Sequence, residues 1–600
     1  MAIGLLPRAS APMTAGVVAA VLVSGLLPVA FMLATGRLVG AITRYNGTDG
    51  LTSGTGRAIL AALGLAVVLF IASQVMEPFR LLLAQRLGRR LDLHLRARVM
   101  RATLAPTGIG HLEDPAKLDT ISLARGVGPG DWTPAGAVVG LAGIASNYVQ
   151  GLSSAVVLGR YWWWLALILV VVNVFIRLRF RDTLIKIVDV MIGEARALRR
   201  TMYYRDLSLT AGAAKEVRVF GLRAWIGDRF RSHWYAAMRE VWRQRASSRP
   251  AMVMIIAGFA AAHIGALAVV ARAAVRGEID VAALAVMTQS VFGVGALGNI
   301  DDSDTLVIYG VAAIPSVAEL ERVVAEEARA ALPVTADPAG LPVDAIRFEG
   351  VRFTYPGRDE PVYEGLDLTI PAGRSLAIVG ANGAGKTTLV KLLARLYEPQ
   401  AGSITTDGID IRAFDARAWQ RRIAAIFQDF VQYPLSAADN IGIGVIERID
   451  DRVLIEAAAR RAGAHDIIEA LPHGWDTLLS RQFREGADLS GGQWQRIALA
   501  RALFAVAGGS SVLVLDEPTA NLDVRAEVAL FDRFLDLTRG LTTILISHRF
   551  STVRRADRIV VLDGGKVSEE GTHDELMALG GTYATMFGLQ AARFAEPVEA

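Results

Sequence analysis

The chain has 600 residues, 63 lysines and arginines against 59 acidic residues, a net charge of +4 and no cysteine. This excludes a single-core domain, disulfides, thiolate metal sites and a cysteine nucleophile. A mean hydropathy of +0.37 with 20% charged residues is too apolar for an ordinary soluble enzyme, and the dispersed basic residues offer nucleic acid no patch.

Apolar stretches long enough for the ~20 helical residues of a bilayer crossing run from Pro12 to Ile42, Ala58 to Val75 and Ala251 to Val275. Pro134 to Leu158, Trp162 to Ile176 and Val281 to Leu297 add three more, shorter or carrying polar residues. Six spans are expected, an even number that leaves both termini on the cytoplasmic side. The N-terminus lacks the layout of a cleavable signal peptide, so the first segment reads as a retained span. Basic residues are dense between Arg80 and Arg125 and between Arg177 and Arg249, and sparse in predicted outer loops such as Thr43 to Arg57. That asymmetry places the two long connections inside. Tyr161-Trp162-Trp163-Trp164 then falls at the outer boundary of the fourth span, as an interfacial anchor.

Both inner connections read as helices, Arg80 to Leu104 and Ile185 to Arg245, the second interrupted near Thr210-Ala211-Gly212. The spans should therefore continue as helices into the cytoplasm. Asp301, Asp302 and Asp304 interrupt the last apolar stretch, roughly 30 Å inward at ~1.5 Å per residue, with Asp301 and Asp304 on one helix face. They are either a cation-attracting patch in a cavity or solvated, arginine-paired residues at the interface. The proline-rich stretch Ala330 to Pro342 lies in the predicted linker.

Beyond it the pattern becomes that of an α/β domain. Ala345 to Tyr355 alternates like an antiparallel strand, whereas Ser375 to Val379, Ser511 to Leu515 and Thr542 to Ile546 are apolar runs fit for strands buried on both faces. Gly380-Ala381-Asn382-Gly383-Ala384-Gly385-Lys386-Thr387-Thr388 follows the first of these runs and precedes a predicted helix from Thr387 to Leu396. This is the context of a phosphate loop: glycines let successive N–H groups face phosphate oxygens, and the helix N-terminus favours anions. Lys386 suits the β/γ-phosphates and the Thr387 hydroxyl suits magnesium. Only six of the 63 basic residues are lysines, so Lys386 answers a local requirement. Asp516 and Glu517 end the Ser511 to Leu515 strand, where Asp516 should hold hydrated magnesium and Glu517 should orient and deprotonate the attacking water.

Leu489-Ser490-Gly491-Gly492-Gln493, followed by Trp494-Gln495-Arg496, resembles the signature of the ATP-binding cassette (ABC) family. Other elements fall in the family's order: Tyr355 resembles the adenine-stacking aromatic, Gln428 the Q-loop glutamine, Asp523 the D-loop aspartate and His548 the switch histidine. The resemblance covers Val343 to about Gln590. It implies ATP and Mg2+ as ligands and a sandwich in which Ser490 and Gly492 of one subunit bind the γ-phosphate held by Lys386 of the other. It also implies that His548 contacts the γ-phosphate and that Gln428 touches the metal and relays nucleotide state to the membrane part. Two departures stand out: Ala520-Asn521 replaces the usual serine start of the D-loop, and Gln482 to Asp488 only loosely follows the exporter pattern.

Six spans ahead of one cassette resemble the exporter-type half-transporter. His111 to Pro115 and Ala214 to Gly221 look like that family's two intracellular turns, which dock on cassettes. The implied fold is a multidomain membrane protein: an all-α six-helix transmembrane domain with long cytoplasmic extensions, then an α/β P-loop domain with an antiparallel β subdomain and a helical subdomain. The expected boundaries are 1–325 for the transmembrane domain (coupling regions near 108–126 and 208–222), 326–342 for the linker, 343–592 for the ATPase and 593–600 for the tail. The implied activity is ATP-driven export of a hydrophobic or amphipathic small molecule, lipid or peptide. The chain would pair with a second copy or a homologous half-transporter, in a bacterial cytoplasmic membrane with the ATPase domain inside. An exporter-fold importer and an ATP-binding regulatory or channel-like protein are the alternatives.

Overall fold

The structure is a computed structural model that describes residues 2–45, 53–124, 133–193, 195–247, 249–312, 314–330, 333–517, 538–547 and 550–595. It divides into two compact units. One holds Met1–Thr103 with Asp119–Val323, and the other holds Leu104–Leu118 with Val324–Ala600.

The first unit is all-helical. Five of the described helices are long and apolar enough to cross a membrane: Gly4–Thr43, Gly54–Leu104, Pro134–Val190, Arg223–Val275 and Val281–Glu326. The third of these is two legs. Trp162 leaves helical geometry at φ −137°, ψ 86°, and a Cβ built on Gly159 would lie 3.7 Å from that of Ala166. Seven residues of continuous helix separate such atoms by about 10 Å, so the chain folds back at Trp162. Six legs result among the described residues, the number expected from the sequence.

The extensions of the apolar legs are helical too, with Gly54–Leu104 unbroken for 51 residues. After Ala195–Leu209 the chain turns at Thr210 to Ala213 into a short helix, Ala214–Val219, and then Arg223–Ser247. This is the interruption expected near Thr210-Ala211-Gly212.

The last apolar stretch departs from the expected single helix. It runs Val281–Gly295, tightens to a 3₁₀ turn at Ala296–Gly298, becomes extended at Asn299 and restarts at Asp302–Ala312. Asp301 therefore precedes the second helix, and its Oδ1 accepts from the N–H of Ser303 at 2.8 Å. Asp304 is buried against Arg177, which reaches both carboxylate oxygens at 2.9 and 3.0 Å. The same guanidinium donates to the carbonyls of Leu297 and Asn299 at 3.5 and 3.3 Å, groups freed by the break. The acidic cluster is thus no shared helix face, and its buried member is arginine-paired.

The second unit is α/β. Strands β1 (Ala345–Phe353), β2 (Tyr363–Pro371), β4 (Ala401–Thr406) and β5 (Ile409–Asp410) form an antiparallel sheet in the order β2-β1-β4-β5. A second sheet, in the order β10-β9-β3-β8-β7-β6, uses β3 (Ser375–Gly380), β6 (Ile423–Ile426), β7 (Val512–Asp516), β8 (Thr542–Ile546), β9 (Arg558–Asp563) and β10 (Lys566–Gly571). It is parallel except at β10. β7 and β8 are buried at every position, which is why their sequences do not alternate. Helices Ala437–Gly442, Arg452–Ala462, His465–Glu469 and Gly491–Ala507 share a separate apolar core around Trp494, Ile497 and Phe504. The segment before β1 is no free tether: Thr335 donates to the carbonyl of Ala413 at 2.8 Å, and the carbonyl of Leu341 accepts from Arg422 and Ser511.

Candidate nucleotide site

β3 ends at Gly380, and its chain curls through Ala381–Gly385 into the helix Lys386–Leu393. A Cβ on Gly380 would meet the Leu562 carbonyl oxygen at 2.3 Å, so no larger residue fits under the loop there. Gly385 caps the helix at φ 102°, and a Cβ on it would sit 2.8 Å from the Tyr363 ring. Tyr363 donates its hydroxyl to the Gly385 carbonyl at 2.7 Å and so braces the loop from beneath. Asn382 and Gly383 form the exposed crest, while Ala384 is buried below it.

Lys386 is buried, and its ammonium donates to the carbonyls of Gly380 and Ala381, both at 2.9 Å. Burial pulls its pKa below the ordinary lysine value, against the opposing charges of Glu517 and Asp516. Those two acids end β7, the second neighbour of β3, as parallel strands carry their C-terminal ends to one edge. Burial raises the pKa of Asp516, while a hydrogen bond from the Thr387 hydroxyl acts in the other direction. Asp516 Oδ2 is buried without a hydrogen-bond partner among the described residues. A bare carboxylate oxygen beside a threonine hydroxyl suits a hard divalent cation.

Glu517 takes a left-handed backbone, φ 48°, which a non-glycine residue adopts only under constraint. Its N–H donates to the carbonyl of Ile546 at 2.9 Å, and its carboxylate accepts from the amide of Gln428 at 3.0 Å. The structure therefore brings together Gly380, Lys386, Thr387, Gln428, Asp516 and Glu517.

Tyr355 lies beside the loop's helix, its hydroxyl 3.0 Å from Oγ1 of Thr388. Ser490 instead heads the helix Gly491–Ala507 in the other core. Its hydroxyl accepts from the N–H of Gln493 at 3.3 Å, and the Gln493 side chain accepts from the N–H of Ser490 at 2.8 Å, a reciprocal capping box. Gly491 and Gly492 form the first turn, and no hydrogen bond or ion pair among the described residues joins this signature to the phosphate loop. Asp523 and His548, with Ala520 and Asn521, lie outside the described residues.

The turn expected at His111 to Pro115 does dock beside the loop, but the residues it meets were not foreseen. Ile109 donates to the Leu396 carbonyl at 2.9 Å, and Gln420 donates to the Thr107 carbonyl at 3.1 Å. Glu113 accepts from the Tyr397 hydroxyl and lies 3.6 Å from the Lys391 ammonium. No local spacing signals these contacts, because the partners are nearly 300 residues apart.

The fold and site together define an ATP-binding domain placed after an integral membrane domain. Residues 363–520 match the family model for the ABC transporter. The chain is 44% identical over 245 residues to an ATP-dependent lipid A-core flippase of Chromohalobacter salexigens, covering 41% of each chain. It is 40% identical over 240 residues to a subtilin transport ATP-binding protein of Bacillus subtilis, covering 40% of this chain and 39% of that one. These matches span about two fifths of the length of the curated relatives. A solved bacterial Atm1-family ABC exporter with ATP bound aligns along nearly the whole chain, with a TM-score of 0.73, 25% identity and coverage of 98% and 99%. The C-terminal unit thus carries the match to the ABC transporter model, and the whole chain shares its fold with a solved ABC exporter.

Proposed function

We propose that this chain is one half of a dimeric, ATP-driven exporter in the bacterial cytoplasmic membrane. The observation that carries the reading is a phosphate loop and acidic strand end, brought together in one core, in a chain that also supplies six apolar legs. Lys386 and the loop N–H groups of Gly380, Asn382, Gly383, Ala384, Gly385, Lys386, Thr387 and Thr388 would hold the phosphates, and Tyr355 would stack on adenine. Thr387, Asp516 and Gln428 would hold Mg2+, and the partnerless oxygen of Asp516 supports this assignment. Magnesium bound there neutralises charge that develops on the phosphates. Glu517, fixed in direction by Gln428, would take the proton of the attacking water, with His548 at the γ-phosphate.

The exposed signature supports a second subunit as the source of Ser490, Gly491, Gly492 and Gln493, with Asp523 at the dimer seam. Two ATP molecules would then favour the closed pair, and hydrolysis would release it. The apolar turn residues Val219 and Phe220 are also exposed, as a turn that docks on a partner cassette would be. The likeness to a lipid A-core flippase and a subtilin transporter supports an amphipathic lipid, peptide or small-molecule cargo.

The test is ATP hydrolysis by the full chain in nanodiscs, screened with lipids, peptides and amphipathic drugs. Turnover that depends on Lys386 and is stimulated by one of these classes is expected, and absence of turnover overturns the reading. Flux measured in proteoliposomes then separates export from import.

A further inference from the structure

Tyr355 stands in a box of aromatic edges and cations. The rings of Phe353 and Tyr397 meet it edge-on at 4.9 and 5.3 Å. The Lys391 ammonium lies 5.2 Å from its ring centroid, and also 5.6 Å from that of Tyr397. The Arg358 guanidinium lies 5.8 Å from the Tyr355 ring. A base stacking on this ring needs one clear face, so the tilt of the ring and the places of these cations decide how well it fits.

Two of these neighbours are held from the Gly108–Asp114 turn. Glu113 takes the Tyr397 hydroxyl proton in a hydrogen bond and draws Lys391 with its other oxygen. Gly110 lies under Tyr397, where a Cβ would be 3.6 Å from the ring. The tie is anchored on both sides, by the Ile109 to Leu396 backbone bond and by the Tyr355 hydroxyl on Thr388. Burial and the Glu113 hydrogen bond both raise the pKa of Tyr397, which keeps the phenol a donor.

We propose that Tyr397 is a positioning residue through which Glu113, on the intracellular turn, sets the Tyr355 ring for the base of ATP. The proposal rests on the ATP-site reading above. Coupling between two sites is reciprocal, so a turn that orients the ring is itself held more firmly when base is bound. The route meets the phosphate loop at the Tyr355 hydroxyl on Thr388, and none of its members touches the acids at the end of β7.

Steady-state kinetics on the full chain in nanodiscs test it, with Tyr397→Phe, Glu113→Gln and the double variant. Each single variant is expected to raise KM for ATP three- to tenfold, with kcat within twofold of the parent. The double variant should match the more affected single, since both lose the Tyr397–Glu113 bond and only Glu113→Gln also releases Lys391. Magnesium tripolyphosphate, which has no base, should inhibit all four proteins with the same constant. An unchanged KM for ATP, an equal loss for tripolyphosphate, or multiplying effects in the double variant overturns the proposal. Lys386→Ala is the control: if it still binds ATP and tripolyphosphate normally, the ATP-site reading itself fails.

Discussion

Gln428 and Glu517 meet at 3.0 Å, the amide of one donating to the carboxylate of the other, although 89 residues separate them. The contact joins the segment after β6 to the end of β7, strands paired in parallel. The backbone of Glu517 is left-handed, and the Gln428 amide gives its carboxylate a partner on one side. A base must be held within reach of the proton it takes, and this pair supplies that constraint.

Glu517→Gln preserves the shape and removes the proposed base. Phosphate release is expected to fall by about 10²- to 10⁴-fold, the usual contribution of a positioned base, with ATP affinity within a fewfold of the parent. Equilibrium binding beside a turnover assay checks both halves. Turnover above a tenth of the parent rate would remove Glu517 from this role.

Asp516 makes a prediction of opposite sign for stability and binding. Its charged form is disfavoured by burial, and one oxygen lacks a hydrogen-bond partner among the described residues. Asp516→Asn removes that charge at little change of volume. Without nucleotide the variant should melt at or slightly above the parent temperature. The rise in melting temperature given by Mg2+ with ATP, large in the parent, should vanish, and EDTA should reproduce that loss in the parent protein. A variant that keeps its full magnesium-dependent rise contradicts the assignment.

The legible parts of this molecule are those whose chemistry needs fixed spacing along the chain. Phosphate binding demands consecutive N–H groups, so Gly380 to Thr388 declares itself, and the apolar runs at β3, β7 and β8 declare strands covered on both faces. Trp162, the first residue of the fourth span, marks the fold-back because an aromatic anchor suits a membrane boundary. Partners distant in sequence leave no such trace. Arg177 and Asp304 are 127 residues apart, and Glu113 and Tyr397 are 284 apart. The break at Ala296 to Asp301 was hidden for the same reason, since the guanidinium that satisfies its freed carbonyls comes from another leg.

That guanidinium provides a test of the first unit. Arg177 and Asp304 have side chains only 5% and 6% exposed, and they bind through two oxygens, with the Tyr148 ring 5.1 Å from the guanidinium. Removing one partner of such a pair leaves a buried charge, which costs about 3–5 kcal/mol. Asp304→Ala should therefore lower the melting temperature of the detergent-purified chain strongly, whereas Asp301→Asn, at an exposed position, should shift it little. Adding Arg177→Met to Asp304→Ala should recover part of the loss, because the orphaned cation goes with it while the carbonyls of Leu297 and Asn299 lose their donor. Equal effects of the two aspartate variants would show that pairing is not what holds Asp304.

The last prediction concerns who supplies the serine. If the Ser490 signature of one copy closes on the Lys386 loop of another, the two defects must complement across subunits. Lys386→Ala and Ser490→Arg chains should each be inactive alone, since every site in either dimer carries one lesion. Mixed dimers differ: one site combines both lesions, and the other joins an intact loop to an intact signature. Co-expressed with separate tags and purified through both, they should regain ATP hydrolysis at up to about half the parent rate where sites act independently, and less where both are needed. Binding needs only one good sandwich, so trapping of labelled nucleotide should reach one per mixed dimer even if turnover stays low. Failure to trap any nucleotide, with the mixed dimer intact by size and both tags present, would mean that each copy builds its site alone.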